Sequence, residues 1–212
     1  MFIKNGFQSR RGLFTLVAGF VLLAGAATAR AADNPKVTMT VENRGTLVIE
    51  LYQKEAPKTV AHFLALINRK FYDGILFHRV IANFVDQVGD PKTKTIDSSK
   101  AHSMSVEDFQ SMGIGNGGSG PNGANVNIPF EDSGHLNEAG TLAMALTAPA
   151  SATADSQFYI NLKHNTNLDA QYCVFGKVIK GMDLITKIQQ GDKIKSFRVS
   201  GMAKSSKDKP KK

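Results

Sequence analysis

The chain has 212 residues, a hydrophobic fraction of 42%, one cysteine, no tryptophan and a formal net charge of +8 at pH 7. This length allows one folded domain with a sizeable core, and a single cysteine excludes an intrachain disulfide. Much of the positive charge lies at the two ends: residues 1–31 contain four cations and no acid, and residues 195–212 contain seven cations and one acid. No nucleic-acid motif accompanies these cations, so we expect a frayed, solubilising basic tail at 201–212 and no nucleic-acid partner.

The first 31 residues have the pattern of a secretory signal peptide. Lys4 and Arg10-Arg11 precede an apolar run at residues 12–27, which is followed by the small-residue sequence Ala29-Arg30-Ala31. This order predicts cleavage after residue 31 and export, to the periplasm or otherwise out of the cytoplasm. An uncleaved membrane anchor is the alternative, and the arginine pair leaves the twin-arginine route open. No second hydrophobic span follows, so we expect no stable membrane span after cleavage.

The mature chain is expected to begin with a β-hairpin followed by a helix. Residues 37–42 and 46–51 alternate apolar and polar side chains around the turn sequence Glu42-Asn43-Arg44-Gly45, which is typical of a hairpin. Beyond Pro57, apolar residues recur at helical spacing as far as Ile67. Proline is tolerated in the first turn of a helix, so the spacing predicts a helix with one apolar face.

Many short strands and few helices indicate the fold class. Strands are predicted near 75–80, 84–89, 140–145, 157–161, 173–179 and 193–199, and a second short helix from about 182 to 189. Strands without long intervening helices do not build a parallel sheet, so residues 32–200 are predicted to form a mainly β domain, a closed antiparallel β-barrel capped by helices. Cys173 lies in one of the apolar strand-like runs and is interpreted as a small buried hydrophobic residue.

A long segment rich in glycine, serine and asparagine interrupts these strands at residues 92–137. A helical turn is predicted at 106–112, and loops of this length are usually functional or mobile. The string Gly115-Asn116-Gly117-Gly118-Ser119-Gly120 has no strand before it and no helix after it, so nucleotide binding is not expected. The five histidines are scattered without the spacing of a metal site, so we expect no metal and no cofactor.

The segment from Phe77 to Pro91 places one cation beside apolar side chains on two consecutive predicted strands. Because strand side chains alternate between faces, we expect Phe77 and Arg79 on one face of the first strand, and Val85 and Gln87 on one face of the second. An arginine above an apolar slot suits a ligand with an apolar ring beside an amide, such as a peptidyl-proline. The alternative is a pair of ordinary core strands with a solvated or paired surface arginine.

Six short segments, in this order along the chain, carry a family resemblance. They are Phe71-Tyr72-Asp73-Gly74, Phe77-His78-Arg79-Val80-Ile81, Gln87-Val88-Gly89-Asp90-Pro91, Gly140-Thr141-Leu142-Ala143-Met144-Ala145, Asp155-Ser156-Gln157-Phe158-Tyr159-Ile160 and Val174-Phe175-Gly176-Lys177-Val178. Together they resemble the cyclophilin family of peptidyl-prolyl cis-trans isomerases, and more closely its exported bacterial members. The similarity extends over about residues 37–199, and several ordered motifs are a stronger signal than any single one.

The resemblance implies an eight-stranded barrel capped by two α-helices and an isomerase that needs no cofactor. Its partners would be proline-containing polypeptides, in particular unfolded or partly folded exported proteins, and we expect a monomer. By the same resemblance, Arg79 would be the catalytic residue. The substrate-binding positions would be Phe84, Val85, Tyr159 and Leu168 in a proline pocket, Gln87, Ala145 and Gln157 along the peptide backbone, and Tyr172 at a position that exported members commonly fill with tyrosine.

Four positions beside the pocket depart from the family pattern. Ala82-Asn83 stand where the family usually has Pro-Gly, Val85 replaces a longer methionine, and Asp86 replaces an apolar residue. We therefore expect a looser pocket, and a pairing of Asp86 with a nearby cation is left open. Because of these departures, a second hypothesis stays open: the protein would be a cyclophilin-shaped peptide-binding chaperone or scaffold with little catalytic turnover. A third, a structural protein with a polybasic surface anchor, rests only on the tail at 201–212.

Overall fold

The structure is a computed structural model that describes residues 1–2 and 33–200. The predicted basic tail, and all but the first two residues of the predicted signal peptide, lie outside the described residues. Within 33–200, eight β-strands form one antiparallel sheet in the order β3-β4-β6-β5-β7-β2-β1-β8. They are β1 (Lys36–Val41), β2 (Gly45–Leu51), β3 (Arg79–Ile81), β4 (Val85–Val88), β5 (Thr141–Met144), β6 (Phe158–Asn161), β7 (Val174–Lys180) and β8 (Ile194–Val199). Each strand overlaps a stretch that the sequence predicts as strand.

The sheet curls into a half-barrel whose edge strands, β3 and β8, do not pair with each other. The chain before each edge strand spans the gap, because the amide of Gly74 donates to the carbonyl of Ile194 and the amide of Phe77 donates to that of Asp192, both at 2.8 Å. The structure therefore differs from the predicted closed barrel. Its edge strands are unpaired, and hydrogen bonds between neighbouring segments bridge the gap between them. β3 has only three residues, and the chain before it turns at Gly74, whose φ is 85°, and forms an isolated antiparallel bridge between Leu76 and Lys193.

The first helix, α1 (Pro57–Asn68), begins at the predicted proline and confirms the predicted helix. Ala56 precedes it and offers no side-chain cap. A distant carboxylate supplies the cap, because Glu131 accepts hydrogen bonds from the amides of Lys58 (3.0 Å) and Thr59 (2.7 Å). A negative charge at this position also complements the helix dipole.

The 92–137 insertion contains more regular structure than a plain loop. It includes two short helices, α2 (Ser98–Ala101) and α3 (Val106–Ser111), and α3 confirms the predicted helical turn. α3 starts with a capping box, in which the Ser105 hydroxyl accepts the Asp108 amide while the Asp108 carboxylate accepts the Ser105 amide. Two of the free amides at the start of the helix are thereby satisfied.

A small apolar cluster and one carboxylate attach this insertion to the sheet. Phe109 of α3 is buried in a second core that also contains Ile114. The fully buried carboxylate of Asp90 accepts the amides of Gly115 (2.7 Å) and Gly117 (2.9 Å). The glycine-rich string thus directs these amides at a carboxylate of the chain itself, which agrees with the expectation that it is not a phosphate-binding loop.

The last helix, α4 (Met182–Ile185), is shorter than the predicted helix at 182–189. The amide of Gln189 donates to the carboxylate of Asp192 at 2.7 Å, so it is not available to continue the helix. The Asp192 carboxylate also binds the guanidinium of Arg44 at 2.8 Å, which ties the end of this segment to the β1–β2 turn.

The main core lies between α1 and the inner face of the sheet, with Phe63 of α1 among its largest buried side chains. The rings around it are those of Tyr72, Phe158, Phe175 and Phe197, with centroids 4.8–5.5 Å away. Most of these pairs are edge-to-face, an arrangement that the ring quadrupoles favour. Cys173 is buried against the same core, as predicted, and burial raises the pKa of its thiol to about 11.

Candidate active site

The β3–β4 hairpin places Arg79 directly opposite Gln87. The Arg79 Nη1 donates to the Gln87 Oε1 at 3.3 Å, and the guanidinium carbon lies 5.6 Å from the centre of the Phe84 ring. Alternation along β4 puts Val85 and Gln87 on this outer face of the sheet and Asp86 on the inner face. The predicted combination of a cation and an apolar surface is thus present.

Asn83 makes the tight turn between β3 and β4. Its φ is 57°, in the left-handed region that asparagine tolerates better than most residues other than glycine. The carbonyl of Phe84 accepts the amide of Leu162 at 2.9 Å and the side-chain amide of Asn165 at 3.0 Å. The Ala82-Asn83 pair therefore forms this turn, and the two hydrogen bonds to its carbonyl hold Phe84 at the rim of the site.

A pocket of about 240 Å³ lies beside the guanidinium of Arg79. Its lining residues are Arg79, Phe84, Val85, Gln87, Ala145, Leu146, Tyr159, Leu168 and Tyr172. Eight of the nine predicted site residues are therefore brought together from separate parts of the chain. The pocket is smaller than the ~300–1,000 Å³ of typical small-molecule sites, so it suits one small apolar group such as a proline ring.

Tyr159 forms a buried wall of this pocket. Its hydroxyl donates to the Asn137 Oδ1 at 3.0 Å, and its ring stands edge-on to Tyr172 with centroids 6.0 Å apart. Asn137 is fully buried and also accepts from the side chain of Asn161 at 3.1 Å. Burial raises the pKa of Tyr159, so the phenol is neutral at physiological pH and serves as a fixed, uncharged surface.

Arg79 is the one charged side chain among the residues that line this pocket. Burial lowers its pKa, and the nearby Tyr172 and Tyr159 partly oppose that effect, but a guanidinium stays protonated at physiological pH. Among the ion pairs within residues 33–200, none involves Arg79. A half-buried guanidinium without a carboxylate partner retains N–H donors for a bound ligand.

Gln157 lies beside this pocket and does not line it. The Gln87 Nε2 donates to the Gln157 Oε1 at 3.2 Å, and the Gln157 Nε2 donates to the carbonyls of Gly115 (3.0 Å) and Gly117 (2.9 Å). Its amide therefore orients Gln87 and connects the insertion to the site. Direct contact of Gln157 with a peptide stays a prediction.

The expected position of Phe77 is wrong, and the pairing left open for Asp86 is not observed within residues 33–200. Phe77 is buried in the main core instead of sharing a face with Arg79, because strand alternation does not extend to residues before the strand begins. Asp86 is fully buried on the inner face, and within residues 33–200 neither of its carboxylate oxygens has a hydrogen-bond partner. No cation there pairs with it. Burial, together with the charge of Asp192, raises the pKa of Asp86 to about 8.

Two further residues belong to the site and are not among the predicted site residues. Leu146 lines the pocket, and Asn137, which sequence reasoning missed, orients Tyr159 through a hydrogen bond. A lone asparagine at the end of a polar insertion carries no sequence signal for such a role.

Within residues 33–200, no group of three or more His, Cys, Asp or Glu side chains is arranged to hold a metal ion. No helix in this part of the chain is long and apolar enough to cross a membrane.

A curled antiparallel half-barrel with an arginine beside an apolar pocket on its outer face defines the class of protein. Residues 36–209 match the model of the family described as cyclophilin type peptidyl-prolyl cis-trans isomerase/CLD. The chain therefore belongs to the cyclophilin-type peptidyl-prolyl cis-trans isomerase family. It is a peptidyl-prolyl cis-trans isomerase, and the substrates of this family are proline-containing peptides.

Individual relatives agree with this assignment. A peptidyl-prolyl cis-trans isomerase of Acinetobacter baylyi is 38% identical over 179 residues, which cover 82% of this chain and 79% of that protein. Peptidyl-prolyl cis-trans isomerase B of Bacillus subtilis is 35% identical over 161 residues, or 76% of this chain and 95% of that protein. A crystal structure of a cyclophilin type isomerase from Cryptosporidium parvum has a TM-score of 0.61 at 26% identity, covering 78% of this chain and 97% of that chain. The enzyme is thus favoured over the binding module.

Proposed function

We propose that Arg79 catalyses rotation about X-Pro peptide bonds while Phe84, Val85, Tyr159 and Leu168 hold the proline ring. The observation that carries this proposal is a half-buried guanidinium at the rim of an apolar pocket, hydrogen-bonded to the neutral side chain of Gln87 at 3.3 Å. A structure of the Cryptosporidium parvum relative was determined in the presence of the dipeptide Ala-Pro, at a TM-score of 0.60 and 26% identity over 77% of this chain and 98% of that chain. That structure supports a proline-containing ligand for this pocket.

The chemistry needs no nucleophile and no proton transfer. A peptide bond resists rotation because the nitrogen lone pair is delocalised into the carbonyl, which gives a barrier of about 18–20 kcal/mol and X-Pro isomerisation times of roughly tens to hundreds of seconds. An Arg79 N–H that donates to the prolyl nitrogen holds the lone pair on nitrogen as this atom becomes pyramidal. The hydrogen bond is stronger in the twisted state than in the planar one, and such a difference is what lowers a barrier.

The pocket supplies a fixed point for the rotation. The ring is held against Val85 and Tyr159, which are nearly inaccessible to solvent, while the chain on the other side of the X-Pro bond turns. Gln87 keeps the guanidinium in place and is itself held by Gln157 at 3.2 Å. Each ~1.36 kcal/mol removed from the barrier raises the rate tenfold, so a few charge-assisted hydrogen bonds give a large acceleration.

The same proposal places the enzyme outside the cytoplasm, where it assists the folding of exported proteins as a monomer. Its support is the signal-peptide pattern of residues 1–31. Cell fractionation of the source organism should find a protein of the mature mass, starting near residue 32, in the periplasmic or secreted fraction. Deletion of 1–31 should retain the protein in the cytoplasm. Recovery of the full-length chain from the cytoplasm of unmodified cells would contradict this location.

Activity should be measured on a short X-Pro peptide with the mature protein and with Arg79→Ala. We expect the variant to lose at least about 100-fold in kcat/KM, as when one preorganised donor is removed from a catalytic site. Arg69→Ala is the matched control, because Arg69 is exposed at the end of α1, and it should keep full activity. Catalysis that persists in folded Arg79→Ala would exclude the proposed role.

A further inference from the structure

A second cavity, of about 390 Å³, adjoins the proline pocket and shares Arg79 and Gln87 with it. The rest of its wall comes from His78 and from the 92–137 insertion. The lining residues of the insertion are Val106, Phe109, Gln110, Ile114, Gly115 and Asn116. The first three are spaced as neighbours on one face of α3. This cavity, hereafter the insertion pocket, is therefore built partly by the proposed catalytic residues and partly by the inserted helix.

The insertion pocket is rich in hydrogen-bonding groups, and its one charged lining residue is a cation. Gln87, Gln110 and Asn116 contribute side-chain amides, and Arg79 is the one charged residue in its lining. No carboxylate belongs to that lining. A ligand group that carries oxygen atoms and no positive charge is therefore favoured there, whereas an ammonium or guanidinium group would be repelled by Arg79.

His78 gives a second, independent indication of a ligand. It is 4% exposed in the wall of the pocket, and within residues 33–200 neither ring nitrogen makes a hydrogen bond of normal geometry, although the Leu76 backbone and the Gln157 side chain lie near the ring. Burial lowers the pKa of His78 to about 4, so the ring is neutral near pH 7 and offers one donor and one acceptor. Buried polar groups are nearly always hydrogen-bonded, because an unmade bond costs about 1–3 kcal/mol. A bound polar group would supply the missing partner.

We propose that the insertion pocket binds a carboxylate or carboxamide side chain of the substrate, from a residue one or two positions away from the proline. The inference rests on the proposed function and deepens it, because it names the sequence that the site prefers. A residue extends the chain by at most about 3.3–3.6 Å, and the two pockets share Arg79 and Gln87. The side chain that enters the insertion pocket therefore belongs to a residue within one or two positions of the proline.

Arg79 serves both pockets without conflict. A guanidinium has five N–H donors in a planar fork, and the Gln87 contact at 3.3 Å uses one of them. One edge of the fork is then available to the prolyl nitrogen and another to a side-chain oxygen. Carboxylates and carboxamides both accept such bonds, and a carboxylate accepts them more strongly because it is charged.

The test compares Gln110→Glu with Ser111→Glu. Both residues are exposed on α3 and both changes add one negative charge, but Gln110 lines the insertion pocket and Ser111 does not. The substrates are peptides with Ala-Pro at the centre and Glu, Gln, Lys or Gly at the positions directly before and after it. We expect the native protein to favour the Glu and Gln peptides over the Lys peptides at one of these positions, by about five- to tenfold in kcat/KM.

Gln110→Glu should reduce the preference for Glu over Lys at least fivefold, whereas Ser111→Glu should change it less than twofold. A native ratio near one at both positions, or equal effects of the two variants, would overturn the proposal. The Gly peptides separate this outcome from failure of the isomerase itself, because their turnover depends on the proline pocket alone. If no peptide were isomerised, calorimetry would measure the affinities of the same Glu and Lys peptides. Tighter binding of the Glu peptide that Gln110→Glu reduces and Ser111→Glu does not would support the proposal, and equal affinities would overturn it.

Discussion

Polar side chains on the two faces of β4 differ in whether they have hydrogen-bond partners. On the outer face, Gln87 is hydrogen-bonded to Arg79 and to Gln157, and all three border cavities that are open to a ligand. On the inner face, one residue away, Asp86 is buried with both carboxylate oxygens unpartnered within 33–200. Charge at the outer face is available for binding, whereas at the inner face it costs stability. Variants at the outer face should therefore change kcat/KM, and variants at the inner face should change the free energy of unfolding.

The largest effect is expected in the core, where α1 packs against the inner face of the sheet. Phe63→Ala should lower the free energy of unfolding by about 3–5 kcal/mol, because it removes a fully buried ring and leaves a cavity. Urea denaturation measures this loss. Leu64→Ala on the same helix is the control, and its loss should be smaller because Leu64 is only partly buried. Equal losses would show that the aromatic cluster is not the centre of the core.

Arg79→Lys should affect the outer face alone. We expect kcat/KM to fall about 100-fold, roughly 2.7 kcal/mol of transition-state stabilisation, because lysine lacks the planar fork of donors. The free energy of unfolding should change by less than about 0.5 kcal/mol, as for other replacements away from the core. Arg69→Lys provides the control. If Arg79→Lys kept a rate within about threefold of the native one, positive charge alone would suffice for catalysis.

Asp86 should make stability depend on pH. Burial raises its pKa from 3.8 to about 8 in the folded protein, so the folded state holds this proton more tightly than the unfolded state. The stability that results is fully present below about pH 4 and is lost as the pH rises towards 8. The slope cannot exceed about 1.4 kcal/mol per pH unit.

Asp86→Asn isolates this contribution, because asparagine resembles the protonated acid and does not titrate. The free energy of unfolding of the native protein, relative to that of the variant, should fall by about 3–4 kcal/mol between pH 5 and pH 8. The comparison also cancels His78, whose lowered pKa acts in the opposite direction below pH 6.5. A pH-independent difference would show that the Asp86 carboxyl has a partner or is hydrated.

The smallest effect is expected at the turn that joins the two strands of the site. Asn83→Ala should cost about 1 kcal/mol, because alanine is strained at a φ of 57°. Asn83→Gly should be tolerated, since glycine adopts this conformation freely. Thermal unfolding of both variants measures the difference. If alanine were as stable as glycine, the turn would have to adopt another conformation.

Local patterns in the sequence predicted most of the elements but not their ends. The positions of α1, α3 and all eight strands follow from apolar spacing and turn residues, because these signals depend on neighbours along the chain. α4 ends early because the Gln189 amide binds Asp192, and the sheet edges are bridged by residues 74–77. The Gln189–Asp192 contact is local, but the Asp192 carboxylate is itself held by Arg44 of the β1–β2 turn, and the bridges at the sheet edges join segments that are distant along the chain.

The site, like the fold, has features that the sequence indicates and features that only tertiary contacts determine. The sequence by itself indicated the family, and with it Arg79 and the apolar residues around it as candidate site residues. The order of the motifs along the chain can be recognised without a structure. Only the tertiary structure decided that Phe77 belongs to the core, that Asp86 faces inward with no hydrogen-bond partner within residues 33–200, and that α3 and Arg79 line the same cavity. The reason is physical: the side on which a residue lies depends on where its strand begins, and burial depends on what packs against it. Neither quantity is local to the sequence.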